Sequence, residues 1–192
     1  MDQDRMRWDE RYQDQPIAVP RQPDVLADAP ELLALLPTDG VAVDVACGAG
    51  AQSLWLADRG LAVVALDVSP VAIELTRTAA TEHGYLDRIE ARVVDLDGGL
   101  PADLEDTSIV VCQRFRARNL YGQMLDVLRP GGVALVTVLS AVGLDGEPGA
   151  PHELFLDPSH AFRLTLAGLK PAARRPRGFT VRRIASAADA DG

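Results

Sequence analysis

Apolar positions along the 192-residue chain fall into two alternating kinds of segment. Short runs rich in β-branched residues, bounded by Gly, Asp or Pro, cover residues 41–46, 61–66, 89–94, 108–112 and 133–139. They are too short for helices and predict strands, 41–46 a buried one by its length and flanks. Between them lie segments with helical spacing. Residues 51–59 read as a helix closed by Gly60. Residues 70–83 read as a second, with the Ser69 hydroxyl as cap, Pro70 in the first turn and Gly84 as stop. Residues 120–128 read as a third, ended by Arg129-Pro130-Gly131-Gly132.

Strand–helix alternation implies a parallel sheet covered on both faces, and right-handed crossovers make it doubly wound. After Ser140 the pattern changes. Residues 141–151 are rich in Gly and Pro and read as a loop. Residues 158–169 read as a helix with Asp157 as its cap. Residues 171–175 and 179–185 read as two strands around Pro176-Arg177-Gly178, a C-terminal antiparallel hairpin that brings the mostly parallel sheet to seven strands. Residues 1–37 form an N-terminal helical cap and residues 186–192 a frayed tail, so the whole of 1–192 is expected to be one domain. In such α/β sheets ligands bind beyond the carboxyl ends of the strands. The residues to watch are therefore Gly48, Asp67, Asp95, Gln113 and Ser140.

Composition narrows this further. With 47% hydrophobic residues the chain has enough apolar material for one real core. No run approaches the roughly 18 apolar residues of a membrane span, and the charged opening MDQDRMRWDERYQDQP lacks the apolar stretch of a signal peptide. The expected location is cytoplasmic, with no membrane partner. The net charge of −9 repels a nucleic-acid backbone. The one basic stretch (Lys170, Arg174, Arg175, Arg177, Arg182, Arg183) lacks interleaved aromatics and reads as a solvated edge or a few substrate contacts, so no nucleic-acid partner is expected. Lys170 is the only lysine among 19 basic residues, a bias typical of GC-rich bacterial coding. Cys47 and Cys112 sit inside apolar runs and read as buried thiols rather than a disulfide or a metal site.

The stretch Val43–Ser53, VDVACGAGAQS, carries the chemistry. Glycines in a strand-to-helix turn let a ligand approach the backbone closely. The dinucleotide fingerprint needs G-x-G-x-x-G. Gly48 and Gly50 fit it, but the third position is Ser53, and Asp44 lies close to where pyrophosphate would sit. A carboxylate there disfavours phosphate and favours a cation. No Lys-Ser or Lys-Thr follows, so the phosphate-cradling loop of nucleotide triphosphatases is absent as well. A cationic, phosphate-free nucleoside fits better.

At this point the residues resemble motif I of class I S-adenosylmethionine-dependent methyltransferases, D-x-x-C-G-x-G. The remaining motifs resemble the same family in order: ALDVSPVAIELTR at 65–77, VVDLDGGLP at 93–101 and LRPGGVALVTV at 128–138. The resemblance implies a Rossmann-like methyltransferase fold, with residues 38–140 as cofactor-binding core and 141–185 as the acceptor side. It implies S-adenosyl-L-methionine as cofactor. Asp44 would order the loop near the methionine amino group, with Ala46, Gly48 and Gly50 against the methionine part and ribose. Asp67 would take the ribose hydroxyls and Val68 would pack on adenine. Asp95 would accept from the adenine amino group with backbone from Leu96. Gln113 would lie under the sulfonium.

Residues 7–12, RWDERY, resemble the opening of small methyltransferases of the tellurite-resistance and thiopurine-type group, W-x-x-R-[YF] on a helix that closes over the cofactor. Trp8, Arg11 and Tyr12 share one helical face by i, i+3, i+4 spacing. That group often carries P-R-N-P-x-F-L-L in the loop after the fifth strand. Here the loop reads Ala150-Pro151-His152-Glu153-Leu154-Phe155-Leu156, with His152 where Asn is common.

Methyl transfer from a sulfonium is an in-line displacement whose leaving group is already activated. A thiolate or chalcogen anion needs no protein base, whereas an alcohol needs one near its oxygen. His152, with Glu153 as partner, is the base candidate. His83 and His160 read as structural. Arg114, Arg116 and Arg118 either bind an anionic acceptor or form an exposed helix face. No metal constellation stands out. With no separate substrate domain, a small-molecule acceptor is expected, with an O- or S-/chalcogen nucleophile, a sugar hydroxyl included. The chain would act as a monomer or homodimer. Two other readings stay open: an NAD(P)-dependent oxidoreductase, and a non-catalytic S-adenosylmethionine-binding module.

Overall fold

A computed structural model describes residues 2–24, 26, 30–116, 118–137, 139–140, 156–157 and 178–182. Five strands follow the apolar runs: β1 (Val41–Val45), β2 (Ala62–Asp67), β3 (Ile89–Val93), β4 (Thr107–Gln113) and β5 (Leu128–Thr137). They pair in parallel in the order β3-β2-β1-β4-β5. A short pair follows, β6 (Leu139–Ser140) with β7 (Leu156–Asp157), and β8 (Gly178–Arg182) adds to β5 in antiparallel register. The chain leaves β1 toward β2 and β3, then returns to the other side of β1 as β4. The topological switch point therefore lies between β1 and β4, where ligands of such sheets bind.

Helices α1 (Asp2–Tyr12), α2 (Ala51–Asp58), α3 (Pro70–Glu82) and α4 (Tyr121–Asp126) complete the layers, with a 3-10 helix at Pro30–Leu35. Side chains alternate across the sheet as a period of two requires. On one face Ala42, Val63, Ile109 and Leu135 pack with Leu54 of α2 and Ile73 of α3. On the other Val43, Leu66, Val110 and Val136 pack with Leu120 and Met124. Each large apolar side chain so buried contributes roughly 1.5–3 kcal/mol.

The helix signals hold. The Ser69 hydroxyl accepts from the Ala72 amide at 3.1 Å with Pro70 as first helical residue. Gly60 and Gly84 follow α2 and α3 with φ of 99° and 74°, the left-handed geometry of helix stops. One boundary differs. Arg129-Pro130-Gly131-Gly132, expected as a turn before the fifth strand, lies within β5, because Leu128 already pairs with Thr107. The register then jumps to Ile109 with Val133, so the four residues form an irregularity in the strand, with Gly131 at φ 80°. Asp157, expected as a helix cap, lies in β7. The helix expected at 158–169 and the strand expected at 171–175 lie outside the described residues.

Candidate active site

Three chain segments converge at the carboxyl ends of β1, β2 and β3. The first is the loop after β1. Ala46 and Gly48 both adopt left-handed backbone, at φ 56°, and Gly50 starts α2 at φ 86°. The loop is pinned from beneath. The Thr76 hydroxyl of α3 donates to the Gly48 carbonyl at 3.0 Å, and a Cβ on Gly50 would meet Thr76 side-chain atoms at 2.8 Å. Gly50 is thus required by packing against α3 and does not line the cavity described below.

The second segment is the end of β2. Asp67 is 5% exposed, and both its oxygens accept backbone amides: Gly48 on Oδ2 and Ser69 on Oδ1, each at 2.9 Å. Burial raises its carboxyl above the usual range, and the Ser69 and Gly48 amides pull it back down. A carboxylate has about four lone-pair sites, so Asp67 keeps acceptor capacity toward the cavity. Val68 beside it is half-buried. The third segment follows β3. Asp95 is exposed and its Oδ1 accepts the Asp97 amide at 3.0 Å, capping a 3-10 turn over Leu96–Gly98. Leu96 is buried beneath it.

These groups ring a cavity of about 470 Å³, within the roughly 300–1,000 Å³ of small-molecule sites. Among the expected site residues, Trp8, Arg11, Tyr12, Ala46, Gly48, Asp67, Val68, Asp95, Leu96 and Gln113 all line it. Asp44 does not: it is 1% exposed, and its Oδ2 accepts the Ser53 hydroxyl at 2.6 Å below the loop. Burial pushes its carboxyl up to about 7, against the pull of the Ser53 hydrogen bond. Ser53, which breaks the dinucleotide pattern, is therefore the partner that makes a buried Asp44 tolerable. His152 and Glu153 lie outside the described residues, as do His160 and the other residues of 150–155.

Helix α1 covers one side of the cavity. Trp8 and Tyr12 stack with ring centroids 6.0 Å apart, and the Arg7 and Arg11 guanidinium groups lie 5.8 and 5.6 Å from the Trp8 ring. Tyr12 sits against the loop so closely that a Cβ on Gly48 would come within 2.6 Å of its hydroxyl. Burial, then the Asp67 charge, raises the Tyr12 phenol. Asp9, a residue the sequence reading passed over inside RWDERY, accepts the Ser69 hydroxyl and fastens α1 to the start of α3. A carboxylate at a helix N-terminus is favourable in its own right.

Gln113 is more engaged than its position suggested. Its Oε1 accepts the Asp24 amide at 3.0 Å and its Nε2 donates to the Thr137 hydroxyl at 3.0 Å. Asp24 also lines the cavity and pairs with Arg21 and Arg114. No local signal marks Asp24, because its partners at the end of β4 lie 89 and 90 positions away. Arg114 thus pairs within the chain and lies on a bend after β4, not on the exposed helix face expected as one alternative. His83 caps α3 and its Nε2 lies 3.2 Å from the Ala18 carbonyl, a structural contact away from the cavity. Among the described residues no helix is long and apolar enough to cross a membrane.

Residues 42–132 match the model of a methyltransferase domain. Two curated relatives align to the chain. A 2-heptyl-1-hydroxyquinolin-4(1H)-one methyltransferase of Mycobacteroides abscessus is 29% identical over 132 residues, 64% of this chain and 58% of that protein. A probable cobalt-precorrin-6B C(15)-methyltransferase of Methanothermobacter thermautotrophicus is 33% identical over 104 residues, 52% of each. Among solved structures, an S-adenosylmethionine-dependent methyltransferase from Geobacter sulfurreducens, in complex with S-adenosyl-L-homocysteine, superposes with a TM-score of 0.52. Its identity is 22%, over 67% of this chain and 53% of that one. The chain thus spans just over half the length of the relatives it matches. The architecture is the Rossmann-like α/β fold of the Geobacter sulfurreducens methyltransferase, and residues 42–132 are the part of the chain that matches the methyltransferase-domain model.

Proposed function

We propose that this protein is an S-adenosylmethionine-dependent methyltransferase acting on a small molecule. The observation that carries the reading is the convergence of three strand ends on one cavity: the glycine loop after β1, Asp67 after β2 and Asp95 after β3. The donor set fits the cofactor. Asp67 offers acceptor capacity to a ribose diol, Val68 and Leu96 offer apolar surface to a purine, and Asp95 offers an acceptor to an exocyclic amine. Ser53 in place of the third glycine of the dinucleotide pattern, and the Asp44 carboxyl beneath the loop, count against a nicotinamide dinucleotide.

When bound, S-adenosylmethionine supplies a methyl group on a sulfonium that needs no further activation. The chain's task is then to position and desolvate. Holding reactants in line reaches effective molarities of about 10⁵ M or more, and α1 with Trp8, Arg11 and Tyr12 supports the reading of a cap that excludes water. For a hydroxyl acceptor, His152 would receive the proton, oriented by Glu153. The W-x-x-R-Y opening favours the tellurite-resistance and thiopurine-type group, and with it seven strands ending in a hairpin. The aligned relatives named for small substrates favour a small acceptor over a nucleic acid.

The test is transfer from methyl-labelled S-adenosylmethionine to a panel of thiols, tellurite, phenols and sugar hydroxyls. Labelled product with at least one acceptor is the expected result. No transfer across the panel, with the cofactor bound, would leave a binding module instead. Where the acceptor is a hydroxyl, unchanged transfer by His152→Ala would remove the proposed base.

A further inference from the structure

We propose that Asp24 is a positioning residue that fastens residues 21–24 as a strap across the cofactor cavity, so that its ion pair with Arg114 sets how fast bound nucleoside leaves. The inference rests on the cofactor reading above. The strap is tied at both ends to different elements. At one end the Arg21 amide donates to the Ala51 carbonyl at 3.0 Å, at the first residue of α2. At the other the Asp24 amide donates to Gln113 Oε1 at 3.0 Å, at the last residue of β4. The segment thereby crosses the switch-point crevice, and Arg21, Asp24, Ala51, Gln113 and Arg114 all line the cavity.

The Asp24 end is reinforced from two sides. Arg21 Nη2 reaches Oδ1 at 2.9 Å, while Arg114 Nε and Nη2 reach Oδ2 at 3.1 and 2.9 Å. Arg114 is held for this in left-handed backbone, φ 58°, with its amide donating to the Thr137 carbonyl at 2.6 Å. A non-glycine residue in that region persists only where its surroundings over-determine it. Thr137 also receives Gln113, so one residue of β5 orients two of the three partners of Asp24, Gln113 and Arg114. The Arg114 side chain is 53% exposed, and an ion pair so exposed adds little to global stability. Its effect is local. It decides whether the strap lies down over the cavity, and because it is exposed, salt weakens it.

The experiment measures the dissociation rate of S-adenosylhomocysteine from wild type and Asp24→Asn, at about 0.05 M and about 0.5 M salt. Melting midpoints of the unliganded proteins are taken alongside. In wild type, release should quicken with salt. Asp24→Asn should release about five- to tenfold faster at low salt, respond little to salt, and keep a midpoint within about 2 °C of wild type. Arg114→Gln should act alike, and the double variant should add nothing to either single change. In wild type, bound S-adenosylhomocysteine should slow tryptic cleavage after Arg21, and in Asp24→Asn it should not. Equal release rates and salt responses would overturn the inference, as would faster release that merely tracks a lowered midpoint. If wild type did not bind S-adenosylhomocysteine, the cofactor reading would fall and the strap with it. Binding with unaltered variants overturns the strap alone.

Discussion

The Gly48 amide donates to Oδ2 of Asp67 at 2.9 Å, which joins the loop after β1 to the end of β2. The same carboxylate holds the Ser69 amide through Oδ1, and Ser69 caps α3 and receives α1 through Asp9. One acid thus links the floor of the cavity, the helix behind it and the helix over it. A change at any of these points should be read both in stability and in ligand binding.

Gly48 tests the loop. Alanine there would carry its Cβ at φ 56° to within 2.6 Å of the Tyr12 hydroxyl. The left-handed backbone alone costs about 1–2 kcal/mol, and Tyr12 must also move. Gly48→Ala should lower the melting midpoint and weaken S-adenosylhomocysteine binding at least about tenfold. Adding Tyr12→Phe should restore part of the loss by removing the oxygen, but not the backbone share. Titration calorimetry of the three proteins checks this, and wild-type affinity in Gly48→Ala would show that the loop does not face the ligand.

Asp44 tests the electrostatics beneath the loop. Burial raises its carboxyl from 3.8 to about 7. The unfolded chain therefore releases this proton before the folded chain does, and stability falls as pH rises between those two values. Below the window both states are protonated, and above it both are ionised, so the effect levels off. Asp44→Asn removes the contribution. Its stability relative to wild type should improve from about pH 4 to about pH 7 by an amount on the order of a few kcal/mol, and then flatten. Denaturant unfolding across this range is the measurement, and parallel curves for the two proteins would refute a raised Asp44.

Ser69 tests the junction of α1 and α3. Ser69→Ala removes the cap on Ala72 and the contact with Asp9, while Asp9→Ala removes only the second. Loss of a cap costs about 1 kcal/mol, or about 2–4 °C in a chain of this size. Ser69→Ala should therefore melt lower than Asp9→Ala. Equal midpoints would mean that the cap contributes nothing.

The strands and the helix stops were legible because each depends on local pattern: short runs rich in β-branched residues, Ser69-Pro70, Gly60 and Gly84. The cavity followed from placement, since Gly48, Asp67 and Asp95 end successive strands. Three features were not legible. The Arg129–Gly132 stretch has turn chemistry, yet pairing of Leu128 with Thr107 carries the strand through it. Asp44 and Ser53 are both visible in VDVACGAGAQS, but only folding shows their side chains joined below the loop. Asp24 and Gln113 meet across 89 positions, a contact that no periodicity encodes.

The most direct test of the central claim is titration calorimetry of the whole chain with S-adenosylhomocysteine and, separately, with NAD, in wild type and Asp67→Ala. The expected result is binding of S-adenosylhomocysteine at one site, no binding of NAD, and at least about a tenfold loss of affinity, near 1.4 kcal/mol, in Asp67→Ala. Binding of NAD in place of S-adenosylhomocysteine would contradict the account, as would an Asp67→Ala protein that binds S-adenosylhomocysteine as wild type does.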